Sequence, residues 1–142
     1  MDPIRLTQTI HVVQYLLQAL LMGALVMWAG GGLNSPGAGP PPALGPYVIL
    51  AALLVLMVGS SLYTMSRYLR PNLRRPSAEN HRVFRSRLIL RNSLLGLLAL
   101  PPLLLYQSSG QFFDLLYYGV MFAGLLALNW PTARGYQQWL IS

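Results

Sequence analysis

Across residues 6–66 no side chain carries a formal charge when His11 is counted as neutral, and residues 92–113 and 115–133 are equally free of Asp, Glu, Lys and Arg. Water-soluble domains keep charge at the surface and devote about 25% of their residues to it. Here the charged share is 9% against 54% hydrophobic residues, too few charges to cover the apolar mass of the chain. Between the charge-free blocks lies the segment 67–91, which holds eight of the ten arginines together with Glu79. Arg5 and Arg134 balance Asp2 and Asp114, so this one connection carries the entire net charge of +7. A neutral apolar body with one basic connection is the pattern of an integral membrane protein. Apolar runs of about 20 residues make its spans helices rather than barrel strands.

Four stretches meet that length, 10–28, 47–65, 88–106 and 112–130, giving an all-α polytopic protein with four transmembrane helices in an antiparallel up-down bundle. Residues 1–142 then form one membrane domain. The first two spans are separated by 29–46, too rich in Gly and Pro for helix. Ser108, Ser109 and Gly110 supply a tight turn between the last two. With four spans, the 67–91 connection and both termini share one side. Short Arg-rich connections stay in the cytoplasm, so both ends are expected there and the protein in a bacterial inner (plasma) membrane. Trp28, Tyr47, Tyr106 and Phe112 fit an outer aromatic belt, and Tyr68, Trp130 and Tyr136 an inner one. Trp139, with Tyr136 and Leu140, reads as a short tail resting on the membrane surface. The first span is too long, and its lead-in too weakly basic, for a cleaved signal peptide.

Polarity inside the spans is uneven. Thr7, His11, Gln14 and Gln18 recur at intervals of four, three and four, which keeps them on one helical face. Ser60, Thr64 and Arg67 share a face of the second span at matching depth, next to Gly59. Arg91, Asn92 and Ser93 enter with the third span, and Asn129 closes the fourth. The inner half of every span is thus polar and the outer half nearly pure Leu, Val, Ala and Met. His11, Gln14, Gln18, Ser60, Thr64, Arg91 and Asn92 are therefore the candidate intramembrane cluster. It is either a packing network, the commoner use of such residues, or an inward-facing pocket. Ala19 and Gly23 on the first span, and Gly119, Ala123 and Ala127 on the fourth, form small-residue rows suited to close helix packing. Pro101 and Pro102 should kink the third span. Asp114 stands at the outer start of the fourth span, where a carboxylate favours a helix N-terminus. No span carries a central Asp or Glu, which argues against ion coupling.

The basic connection contains Pro71 and Pro76, with Ser77 as a possible helix cap. Beyond it, Val83, Phe84 and Leu88 lie opposite Arg82 and Arg85, predicting an amphipathic helix that runs into the third span. Arg70, Arg74, Arg75, Arg82 and Arg85 are expected to contact anionic lipid headgroups, and nucleic acid is not expected as a partner. Absence of Cys removes disulfides and thiolate chemistry. His11 and His81 are the only histidines, and neither a metal nor a cofactor is expected. No hydrolase, metalloprotease, P-loop or dinucleotide motif occurs.

The run 85–91 (Arg-Ser-Arg-Leu-Ile-Leu-Arg) opening the third span, Trp130-Pro131-Thr132 closing the fourth and Ile10-His11 opening the first carry a resemblance. The chain resembles small uncharacterised four-helix bacterial inner-membrane proteins, some of which have been likened to rotary-ATPase proteolipid subunits. The resemblance implies the fold class and the location, and no site. Proteolipids hold an ion-binding acid in mid-helix, whereas Ser93-Leu-Leu-Gly-Leu-Leu has none. The expectation is a non-enzymatic membrane subunit or accessory protein, as a homo-oligomer or with another membrane subunit. The alternatives are a small channel or transporter and a lipid-headgroup-modifying enzyme with Arg91 and His11 at an inner pocket.

Overall fold

The structure, a computed structural model, describes residues 3–29, 43–69, 71–72, 74 and 76–141. The connection at 30–42 and the arginines Arg70 and Arg75 lie outside the described residues. The described chain is all-helical: α1 (Pro3–Ala29), α2 (Leu44–Tyr68), α3 (Ser77–Gly96), a 3₁₀ turn (Leu97–Ala99), α4 (Leu100–Ser109), α5 (Phe112–Leu128) and α6 (Ala133–Leu140). Among these, α1, α2 and the continuous rod from Ser77 to Ser109 are long and apolar enough to cross a membrane. A fourth crossing exists if α5 and α6, bent by 65°, count as one broken span.

The rod is the common neighbour of the other long helices. It packs against α1 on α3 and α4, against α2 on α3, the 3₁₀ turn and α4, and against α5 on α4. Helix α5 also touches α1. The core of this assembly is Tyr15 and Met27 of α1, Ala99, Leu103 of α4, and Tyr118 and Phe122 of α5. None of it comes from α2, of which only Leu54 and Val58 are buried.

The prolines act one turn before themselves. Pro101 and Pro102 have no N–H for the carbonyls of Leu97 and Leu98 four residues earlier, so the rod tightens at 97–99, where the Leu100 N–H bonds the Leu97 carbonyl. The rod continues as α4, with proline in the first helical positions where a missing donor costs nothing. It ends at Gly110, whose φ of 66° is the left-handed cap that closes helices, its N–H donating to the Tyr106 carbonyl. Ser109 then donates to the Asp114 carboxylate in the first turn of α5. Tyr47 and Ser108 share a hydroxyl–hydroxyl bond that ties the start of α2 to the end of α4.

A second core lies at the opposite end. Helix α3 begins in the basic segment, with Pro76 rather than Ser77 at the N-cap position. Its Phe84 and Leu88 pack with Tyr136 and Trp139 of α6, and with Ile4 of α1 at the edge. Tyr136 and Trp139 are therefore buried against α3 instead of facing lipid headgroups. Tyr136 also stacks on His81 at 4.1 Å. One end of the molecule thus gathers the start of α1, the basic start of α3 and the C-terminal helix.

Candidate functional site

The site begins at the break between α5 and α6. Pro131 removes a donor and pushes Trp130 out of helical geometry, while the Asn129 side chain turns back to donate to the Leu125 carbonyl at 2.9 Å. Thr132 restarts the chain as a cap, accepting from the Gly135 N–H at 3.0 Å. A helix broken this way leaves carbonyls with no partner in their own ladder, which is costly away from water.

Side chains from α1 and α3 supply the missing donors. His11 lies 3.0 Å from the Leu126 carbonyl through Nε2, Gln8 donates to the Pro131 carbonyl at 3.1 Å, and Arg91 donates to the Asn129 carbonyl at 3.4 Å. The carbonyl can only accept, so His11 carries its proton on Nε2. Its Nδ1 is then an acceptor, and the Asn92 amide donates to it at 2.8 Å. Both ring nitrogens are engaged, and the imidazole is held as the neutral Nε2–H tautomer.

Asn92 is the hub. It is buried, accepts from the Tyr15 hydroxyl at 3.3 Å and donates a further bond to Gln14 at 3.3 Å. Gln14 in turn donates to the Ile89 carbonyl and the Ser93 hydroxyl at 2.7 and 2.9 Å, and Gln18 to the Ser93 carbonyl at 2.9 Å. Gln18 also covers Gly96, where any side chain would collide with its amide. The edges of Tyr15 and Trp130 close on His11 at 5.0 and 5.7 Å.

Of the seven cluster candidates the structure brings together five: His11, Gln14, Gln18, Arg91 and Asn92. Ser60 and Thr64 stay apart. They are exposed and bond back to their own helix, Ser60 to the Met57 carbonyl and Thr64 to those of Ser60 and Ser61. Helix α2 packs along the rod, on α3, the 3₁₀ turn and α4, rather than beside α1, and a Cβ added at Gly59 would meet open space. Thr7 is buried but bonds its own helix at Pro3. Ala19 packs at the edge of the core, whereas a Cβ added at Gly23 or Gly119 would meet nothing within 4 Å, and Ala123 and Ala127 face outward with Gly119. Of the described loop arginines, Arg74 and Arg82 are exposed and Arg85 is half-buried.

Spacing alone passed over Tyr15, Gln8 and Arg87. Tyr15 stands four residues after His11 on the same stripe, and Arg87 stands four before Arg91. Those intervals were the available signal.

Two hollows adjoin the network. One, of about 490 Å³ between α1 and α3, opens outward; its walls are mainly leucine, because the Gln14 and Gln18 amides turn to α3. The other, of about 390 Å³, lies between α3 and the α5–α6 break and is lined by Arg87, Arg91, Asn129, Thr132 and Gln138 along with apolar groups. Among the described residues no group of three or more His, Cys, Asp or Glu is placed to hold a metal ion. Comparison with protein families, with curated proteins and with solved structures finds no match for the chain.

Proposed function

We propose that the protein is a non-enzymatic subunit or accessory component of a bacterial inner membrane, a single four-span domain with both termini in the cytoplasm, working as a homo-oligomer or beside another membrane subunit. The observation that carries the non-enzymatic reading is the engagement of the inner-half polar groups. A histidine with both nitrogens bonded, an asparagine serving three partners and an arginine seated on a helix-end carbonyl hold three helices together. None of them is presented as a base or nucleophile. In lipid, where apolar contact discriminates little between arrangements, such bonds give a bundle its specificity.

Lengths support four crossings. Helix α5 has 17 residues, about 26 Å, one turn short of a hydrocarbon core of about 30 Å. The non-helical residues 129–132 make up the difference before α6 turns aside. The gathering of the N-terminal turn, the basic segment and α6 at one end fits an even number of crossings, and the arginines there support a cytoplasmic location for that end.

The partnered state is supported by α5. Gly119, Ala123 and Ala127 form an outward row with no protein against it, and such rows allow two backbones to approach closely. Native mass spectrometry of the full chain released from lipid nanodiscs tests this. The expected result is an oligomer or a stable complex that Gly119→Leu weakens by about tenfold or more. That variant is expected to leave the monomer folded, because Gly119 is exposed and a Cβ there has nothing within 4 Å. A wild-type chain that is monomeric and unaccompanied in lipid overturns the reading.

A further inference from the structure

We propose that the cleft between α3 and the α5–α6 break is a phosphate-binding site in which Arg87 and Arg91 clamp the anion, with a membrane phospholipid as the occupant. This goes beyond the accessory-subunit reading and uses side-chain placement alone, so it stands whichever way the chain is oriented. The two arginines sit one helical turn apart on α3 and line the same hollow of about 390 Å³. No acid joins them there among the described residues. Glu79 lines a separate cleft with Arg82, and Asp114 lies in the first turn of α5, at the other end of that helix.

Two like charges at this spacing repel when nothing lies between them. Among the described residues the one hydrogen bond of Arg91 is its 3.4 Å contact with the Asn129 carbonyl, and its buried Nε has no hydrogen-bond partner there. A guanidinium offers five donors in a planar fork suited to phosphate oxygens, so most of the capacity of this pair is unused. Helix α6 starts on the same wall, with its cap Thr132 and Gly135 lining the hollow, so the positive end of its dipole adds to the field.

The remaining walls select the source of the phosphate. Leu128 and Trp130 line the cleft beside the arginines and are 86% and 43% exposed. A free phosphate would leave these apolar surfaces uncovered, whereas a phospholipid places its phosphate on the arginines and its glycerol and first methylenes along them.

The test is native mass spectrometry of the full chain from nanodiscs of equimolar phosphatidylglycerol and phosphatidylcholine, following the last lipid retained as collision energy rises. Wild type is expected to keep phosphatidylglycerol. Arg87→Gln, which removes a side chain with no protein partner among the described residues, should cut that occupancy by about fivefold. Arg5→Gln, exposed on α1 and outside the cleft, should match wild type. Adding millimolar inorganic phosphate then separates the sources. Retention of the lipid supports the phospholipid, and its displacement reassigns the arginine pair to free phosphate. Equal retention of phosphatidylglycerol by wild type and Arg87→Gln overturns the proposal.

Discussion

At the scale of single residues, Asn92 has no substitute. An amide donates and accepts at once, which lets one side chain satisfy an imidazole nitrogen, a phenol and a glutamine carbonyl in the same small space. Leucine has the branched skeleton of asparagine but can do none of this, and it would leave His11 Nδ1 buried and unpaired and take one partner from the Tyr15 hydroxyl. Asn92→Leu is therefore expected to cost about 3–5 kcal/mol, from three bonds at about 0.6 each within a membrane plus the penalty of about 1–3 for a stranded group. Thr64→Val should stay within about 0.5 kcal/mol, since Thr64 bonds only its own helix. Reversible unfolding by sodium dodecyl sulfate in mixed micelles measures both, and equal losses would contradict the hub. The contrast marks what spacing could tell. Intervals of three and four place His11, Gln14 and Gln18 on one face of α1 and place Ser60 and Thr64 on one face of α2 with equal clarity. They do not say which helix each face meets. That depends on the packing of the whole bundle, and α2 docks elsewhere.

At the scale of elements, the instructive piece is α6. Pro131 and Thr132 make the break and the restart legible in the sequence, and alternation of aromatic and polar residues marks α6 as amphipathic. Its partner is not legible, because lipid headgroups and a neighbouring apolar stripe would bury Tyr136 and Trp139 equally well. The stripe that takes them, Phe84 and Leu88, belongs to the first half of α3, where the basic segment passes into the apolar run. Trp139 is 6% exposed there, and its truncation to alanine should cost about 3–5 kcal/mol. That loss falls on a helix of eight residues, too short to persist alone. Trp139→Ala is thus expected to release α6 without unfolding the spans. Hydrogen exchange followed by mass spectrometry should show fast exchange at 133–141 and unchanged protection in α1 and α3. Loss of protection throughout would mean that the two cores fold as one unit.

At the scale of the molecule, charge and length together argue for the proposed orientation. The rod from Ser77 to Ser109 has 33 residues, about 50 Å, and exceeds the hydrocarbon core by about 20 Å. The surplus must project from one face of the membrane. Its outer end is short, capped by Gly110 and joined at once to α5, so the projecting part is the start of α3, where Arg82, Arg85 and Arg87 precede Arg91. Translocating these charges would be expensive, which supports the proposed orientation with this end inside. The same end carries Ile4 and α6, so the side of the arginines decides the side of both termini. The sequence contains no cysteine, and a single introduced one is the only thiol that a membrane-impermeant maleimide can label. Arg74→Cys, on the exposed turn before α3, is expected to react in intact bacterial cells only after permeabilisation. Gln111→Cys, exposed beside Gly110 at the other end of the rod, should react before it. Labelling of both positions from outside would place them on one face and remove the rod as a spanning element. The reversed pattern would keep the crossings and invert the chain, leaving eight arginines on the face from which positive charge is normally excluded.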